Sequence, residues 1–131
     1  MAISSEEKEF AAYVVDLMQS IGPVESKRMF GGFGVFLDGL MFGLITGNVL
    51  YIKADEDSKK DFLQLGLLPF SYSKKDKTMS LSYYQAPEEA MENVEIMSGW
   101  ANKGFAAALR AAAKKRPSSG NRKKKYIYSK A

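Results

Sequence analysis

Two dipeptides, Asp38-Gly39 and Gly47-Asn48, do most to restrict what this chain can fold into. Asp, Asn and Gly tolerate positive φ, which a two-residue type I′ hairpin demands at both central positions. Each dipeptide therefore joins strands that run antiparallel. The runs around them, Val35-Phe36-Leu37, residues 40–45 and Val49-Leu50-Tyr51-Ile52-Lys53, read as those strands. Ser26-Lys27-Arg28-Met29-Phe30 is a further short strand that Gly31-Gly32 ends. The pattern predicts a three- or four-stranded antiparallel meander.

Helical signals flank it. Ser4 with Glu7 forms a capping-box pattern, and Phe10, Tyr13, Val14, Leu17 and Met18 recur behind it at helical spacing, predicting an amphipathic helix over 5–20 that Gly22-Pro23 stops. A short helix is expected over 57–65 with Gly66 as its stop. Strands follow over 70–73 and 78–84, joined by the polar turn Lys74-Lys75-Asp76-Lys77; in the second, Met79, Leu81 and Tyr83 alternate with Ser80, Ser82 and Tyr84 and should line a buried face. Asn93 caps a last helix that carries Ile96, Trp100, Phe105, Ala108, Leu109 and Ala112 to about Lys115. Gly99 and Gly104 inside it cost roughly 1 kcal/mol each against Ala and suit a close approach to the sheet. The order α-β-β-β-α-β-β-α is that of an α+β domain with helices packed on an antiparallel sheet. The domain is expected over 1–116, followed by a basic, flexible tail over 117–131 that opens with Pro117-Ser118-Ser119-Gly120-Asn121.

Charge divides the chain in the same way. The net charge of +4 hides eight cations from residue 114 onward: Lys114, Lys115, Arg116, Arg122, Lys123, Lys124, Lys125 and Lys130. Residues 1–113 hold the other 11 basic and all 15 acidic residues, so the body is mildly acidic. The absence of Cys and His excludes disulfides, thiolate and imidazole metal sites, Cys nucleophiles and His-based triads, leaving carboxylate, Lys, Tyr or Ser chemistry. The N-terminal residues lack the basic and apolar regions of a signal peptide, and no run of 18 apolar residues occurs. A soluble, cytoplasmic protein without cofactor or metal is expected.

Several clusters invite a functional reading and have a plainer one beside it. Gly31, Gly32 and Gly34 resemble a phosphate cradle, but neither the P-loop ending nor a following helix is present, so a turn or close strand passage is expected. Arg28 beside them suits an anion or a surface ion pair. Asp55, Glu56, Asp57 and Asp61 lack EF-hand spacing and fit helix capping; Glu88, Glu89, Glu92 and Glu95 fit a solvated face. Phe70, Tyr72, Tyr83 and Tyr84 suggest a base-stacking platform, yet alternation places Tyr83 and Tyr84 on opposite faces and favours core or dimer packing. Trp100 is expected as a core anchor. The tail, with Tyr126-Ile127-Tyr128 after its lysines, suits sequence-independent phosphate contact, a solubilising role, or folding back onto the acidic body.

The ordered motifs Arg28-Met29-Phe30-Gly31-Gly32-Phe33-Gly34-Val35-Phe36, Asp38-Gly39-Leu40-Met41-Phe42, Leu50-Tyr51-Ile52-Lys53, Pro69-Phe70-Ser71-Tyr72, Pro87-Glu88-Glu89 and Trp100-Ala101 resemble the N-terminal domain of the TfoX/Sxy family over roughly residues 8–113. The resemblance implies a bacterial regulator of competence genes, whose full-length relatives work with the cyclic-AMP receptor protein at promoters. A chain of 131 residues is expected to lack the separate C-terminal helical domain of those relatives. A non-enzymatic regulatory or adaptor domain is therefore expected, with a protein partner of the transcription machinery, nucleic-acid contact through the tail, and homodimerisation as an open alternative. The rival expectations are a small ligand-binding or enzymatic domain using Arg28 with a carboxylate or Tyr, and a purely structural oligomerisation module.

Overall fold

Both turn dipeptides adopt the required backbone, with φ of 52° and 78° at Asp38 and Gly39 and 57° and 61° at Gly47 and Asn48. The computed structural model describes residues 3–29, 31–74 and 77–115. The elements are α1 (Ser5–Leu17), β1 (Glu25–Met29), β2 (Gly32–Leu37), β3 (Leu40–Thr46), β4 (Val49–Lys53), α2 (Lys59–Leu63), β5 (Pro69–Lys74), β6 (Lys77–Gln85) and α3 (Val94–Lys115). All neighbouring strands are antiparallel, in the order β1-β2-β3-β4-β6-β5. The expected α+β order holds, with the first meander in its four-stranded form. β6 rather than β5 continues it, pairing Ile52 with Tyr84 and Lys53 with Tyr83, so β1 and β5 are the edges.

The helices cover one face. The capping box forms at α1: Glu7 N donates to Ser4 Oγ at 3.1 Å and Ser4 N to Glu7 Oε1 at 2.9 Å. The predicted helix over 5–20 stops at Leu17 and tightens into a 3-10 turn at Gln19–Ile21. Its buried stripe is Ala11, Val14 and Met18; Tyr13, expected inside, is 48% exposed, and its hydroxyl donates to the Met91 carbonyl in the 3-10 turn Glu88–Glu92. α3 buries a stripe of Met97, Ala101, Gly104, Ala107 and Ala108. A Cβ on Gly104 would lie 2.6 Å from Ile52 Cγ2 and 3.1 Å from the Phe42 carbonyl oxygen, so here glycine does permit helix and sheet to touch. Gly99 has open space around it, and Leu109, expected on the buried stripe, is 49% exposed.

A β-bulge determines which residues of β3 reach the core. Val35 pairs with Gly43 and Phe36 with Met41, leaving Phe42 as the extra residue. Strict alternation would send Phe42 and Ile45 to opposite faces, yet both are buried in the one core cluster. Leu44, also buried, lies outside that cluster on the sheet's other face. The alternation predicted for β6 is only half kept, with Tyr83 buried and Leu81 41% exposed. The physical reason is that this side of β6 faces away from the helices, and nothing packs over its middle among the described residues.

A candidate functional surface

The glycine-rich β1–β2 connection is shaped by backbone needs. Gly31 has φ of 77° with nothing near its missing side chain, so it serves the turn. A Cβ on Gly32 would sit 2.2 Å from the Ile45 carbonyl oxygen, so glycine here lets β2 lie directly against β3. Gly34 leaves room for the ends of Met29, Phe36 and Met41. The space between Gly31, Gly32 and the Thr46–Asn48 turn holds no volume for a water molecule. Arg28 is exposed on edge strand β1, and the surface ion pair expected for it is absent among the described residues. Asp38 and Gly39 are exposed at the β2–β3 turn. Phe30, Arg116, Arg122, Lys123, Lys124 and Lys125, and with them the boundary expected after 116, lie outside the described residues. Lys114 and Lys115 are exposed at the end of α3.

The carboxylates after β4 form a capping and ion-pair cluster. Asp55 Oδ1 accepts from the backbone N of Asp57 and Ser58 and from Ser58 Oγ, while its Oδ2 accepts from Arg110 Nε at 2.6 Å. Asp61 pairs with Lys103 at 2.7 Å. Arg110 was not legible as a partner, since it lies 55 residues along the chain. Among the described residues no group of three or more acidic side chains could hold a metal ion. The Arg110 hydrogen bond holds the Asp55 carboxyl at about 2, and Lys103 lowers Asp61 in the same way.

The sign of the resulting pH dependence follows. An unfolded Asp binds its proton near 3.8 and folded Asp55 only near 2, so the stability this pair contributes is complete above about pH 4 and is lost as pH falls toward 2. Thermal melting should therefore decline over that window, and Arg110→Gln should flatten it, leaving the parts due to the Ser58 hydrogen bonds on Asp55 and to Asp61 with Lys103. Identical pH profiles for parent and variant would rule the pair out as a source of stability.

Trp100 is partly buried at the edge of the core. Its ring lies 4.9 Å from Phe62, which stacks on Tyr84 at 5.4 Å, and Lys103 lies over the ring at 5.7 Å from its centre. As alternation predicted, Tyr84 is on the helix side and Tyr83 opposite it.

The opposite sheet face holds an aromatic surface that sequence reasoning reached only in part. Tyr51 meets Phe70 edge-on at 5.1 Å, and Phe70 stacks with Tyr72 at 6.1 Å. Lys53 lies 5.2 Å over the Tyr83 ring and Lys27 4.9 Å over Phe36. Burial pushes the Tyr83 hydroxyl up to about 12, and burial followed by the nearby Lys115 lowers Lys53. Tyr51 and Lys53 were missed, although their alternation with Leu50 and Ile52 already placed them away from the core. On this face Tyr72 and Leu81 are 40% and 41% exposed, whereas Tyr83 and Leu44 are buried.

Arg28 lines neither of two concavities among the described residues. A concavity of about 430 Å³ among the described residues lies between α1, the β3–β4 turn and the segment after β6, walled by Phe10, Val49, Leu50, Leu67 and Met91. Its polar side chains, Asn48, Gln85 and Glu88, do not form a nucleophile–base pair or an anion clamp. Among the described residues no helix is long and apolar enough to cross a membrane.

Comparison with known proteins gives a consistent result. A family model described as the TfoX N-terminal domain matches residues 16–108, which takes in the whole sheet, α2 and most of α3. The DNA transformation protein TfoX1 of Aliivibrio fischeri is 29% identical over 95 residues, covering 62% of this chain and 46% of that protein. Protein Sxy of Escherichia coli K12 is 23% identical over 78 residues, covering 60% and 37%. The chain thus spans less than half the length of these curated relatives.

Proposed function

The chain belongs to the TfoX N-terminal domain family, and on that footing we propose that it is a non-enzymatic regulatory or adaptor domain. It acts in the cytoplasm through protein partners in bacterial transcription control of the competence type. The observation that carries this reading is the family match over residues 16–108, together with the similarity to a protein named for DNA transformation. Two features support it: the chain has neither Cys nor His, and the cleft beside α1 lacks a reactive constellation. Deleting the gene in its native cell and restoring it on a plasmid should lower and then recover the transcripts of DNA-uptake genes. Transcripts that ignore both changes would overturn the reading.

Nucleic-acid contact by the tail is the second part of the proposal. Lys114 and Lys115 at the end of α3 lead into Arg116, Arg122, Lys123, Lys124 and Lys125, all beyond the segment that defines the family match. With about five phosphates neutralised, the log–log salt slope on duplex DNA is expected near −4 to −5. Fluorescence anisotropy at a series of salt concentrations measures it, and a flat response would remove the tail from the proposal.

A further inference from the structure

We infer that the sheet face turned away from the helices is a binding surface for single-stranded nucleic acid, separate from the tail. An antiparallel sheet with one free face ordinarily alternates apolar inside with polar outside. Here the free face carries rings instead: Tyr51, Phe70 and Tyr72 in contact, with Tyr72 40% exposed and Phe70 and Tyr51 half-buried beside it. Lys27 and Lys53 stand at the edges of this surface, each against an aromatic ring, and both retain exposure to solvent.

Charge selects the occupant. The described side chains on this face include the cations Lys27 and Lys53 and one carboxylate, Glu25, which register places on the same side of β1 as Lys27. Most acids are elsewhere: α1 carries Glu6, Glu7, Glu9 and Asp16, and Glu88, Glu89 and Glu92 follow β6. A mildly acidic body has therefore kept most of its carboxylates off its aromatic face. A polyanion with flat, unpaired bases satisfies both features, since bases stack on exposed rings while lysines take the phosphates. Duplex DNA offers no free base faces to stack.

The test uses the full chain and a fluorescein-labelled mixed-sequence 12-nucleotide DNA, single-stranded and as its duplex, followed by anisotropy. The single strand is expected to bind more tightly. Tyr72→Ala should weaken single-strand binding about 5- to 100-fold, the loss of one stacked base, and leave duplex binding unchanged. Tyr72→Phe should restore it and Tyr72→Leu should not, provided that circular dichroism shows each variant folded. Lys27→Gln with Lys53→Gln should reduce the single-strand salt slope by about 1.4. Lys123→Gln, Lys124→Gln and Lys125→Gln combined should weaken duplex and single strand alike, through the tail. If that variant loses all binding and Tyr72→Ala loses none, the inference fails while the tail reading stands. A dimer by light scattering that Tyr72→Ala dissociates would also overturn it, making a second copy the occupant.

Discussion

Phe62→Ala is expected to lower the unfolding free energy by about 3–5 kcal/mol, one of the two largest effects of any single change considered. Phe62 is completely buried and supplies most of what anchors the five-residue helix α2. Its ring touches two others, stacking on Tyr84 of β6 and leaning on Trp100 of α3, so it joins a strand and two helices that are distant in sequence. Truncation removes the transfer free energy of the ring and leaves a hole between rigid aromatic walls that cannot collapse far. Because a domain of this size has a total stability of about 5–15 kcal/mol, the variant should lie near its folding threshold. Urea unfolding followed by circular dichroism measures the loss, and Trp100 fluorescence should report wetting of its pocket. A loss below about 1 kcal/mol would show that the three-ring contact contributes little.

Gly32→Ala is the second. The added methyl would sit 2.2 Å from the Ile45 carbonyl oxygen and 3.2 Å from Thr46 Cβ. A carbonyl committed to the ladder cannot swing aside as the end of a methionine can, so β2 and β3 must separate locally. The cost is expected at about 3 kcal/mol or more, at the top of the range for overpacking. Gly31→Ala next door makes the informative control: its φ of 77° strains an alanine, but nothing crowds it, so about 1 kcal/mol is expected. Equal losses at the two positions would mean that backbone conformation, not close passage, accounts for both glycines.

The glycine motif was thus legible as structural, but which glycine did what was not. Gly31 acts through its own φ, a local property. Gly32 acts through a carbonyl 13 positions away, and that proximity exists only once β2 and β3 are in register. The same division runs through the carboxylates after β4. Asp55 capping Ser58 is three residues of local geometry, whereas its pairing with Arg110 requires α3 to have been laid across the sheet. Leu81 shows the limit of periodicity, since alternation tells which residues share a face but not whether anything covers that face.

Residue order alone determined the capping box at Ser4, the two tight turns, the alternating strands and the separation of a cationic end from an acidic body. These depend on backbone preferences, on neighbours within about four positions, or on composition. Tertiary structure alone decided that β6 lies beside β4, that a bulge turns Phe42 inward, and that Tyr51, Phe70 and Tyr72 meet on the face turned away from the helices. Each of those outcomes compares the free energy of whole registers and packings, in which no single stretch of the chain carries the deciding term.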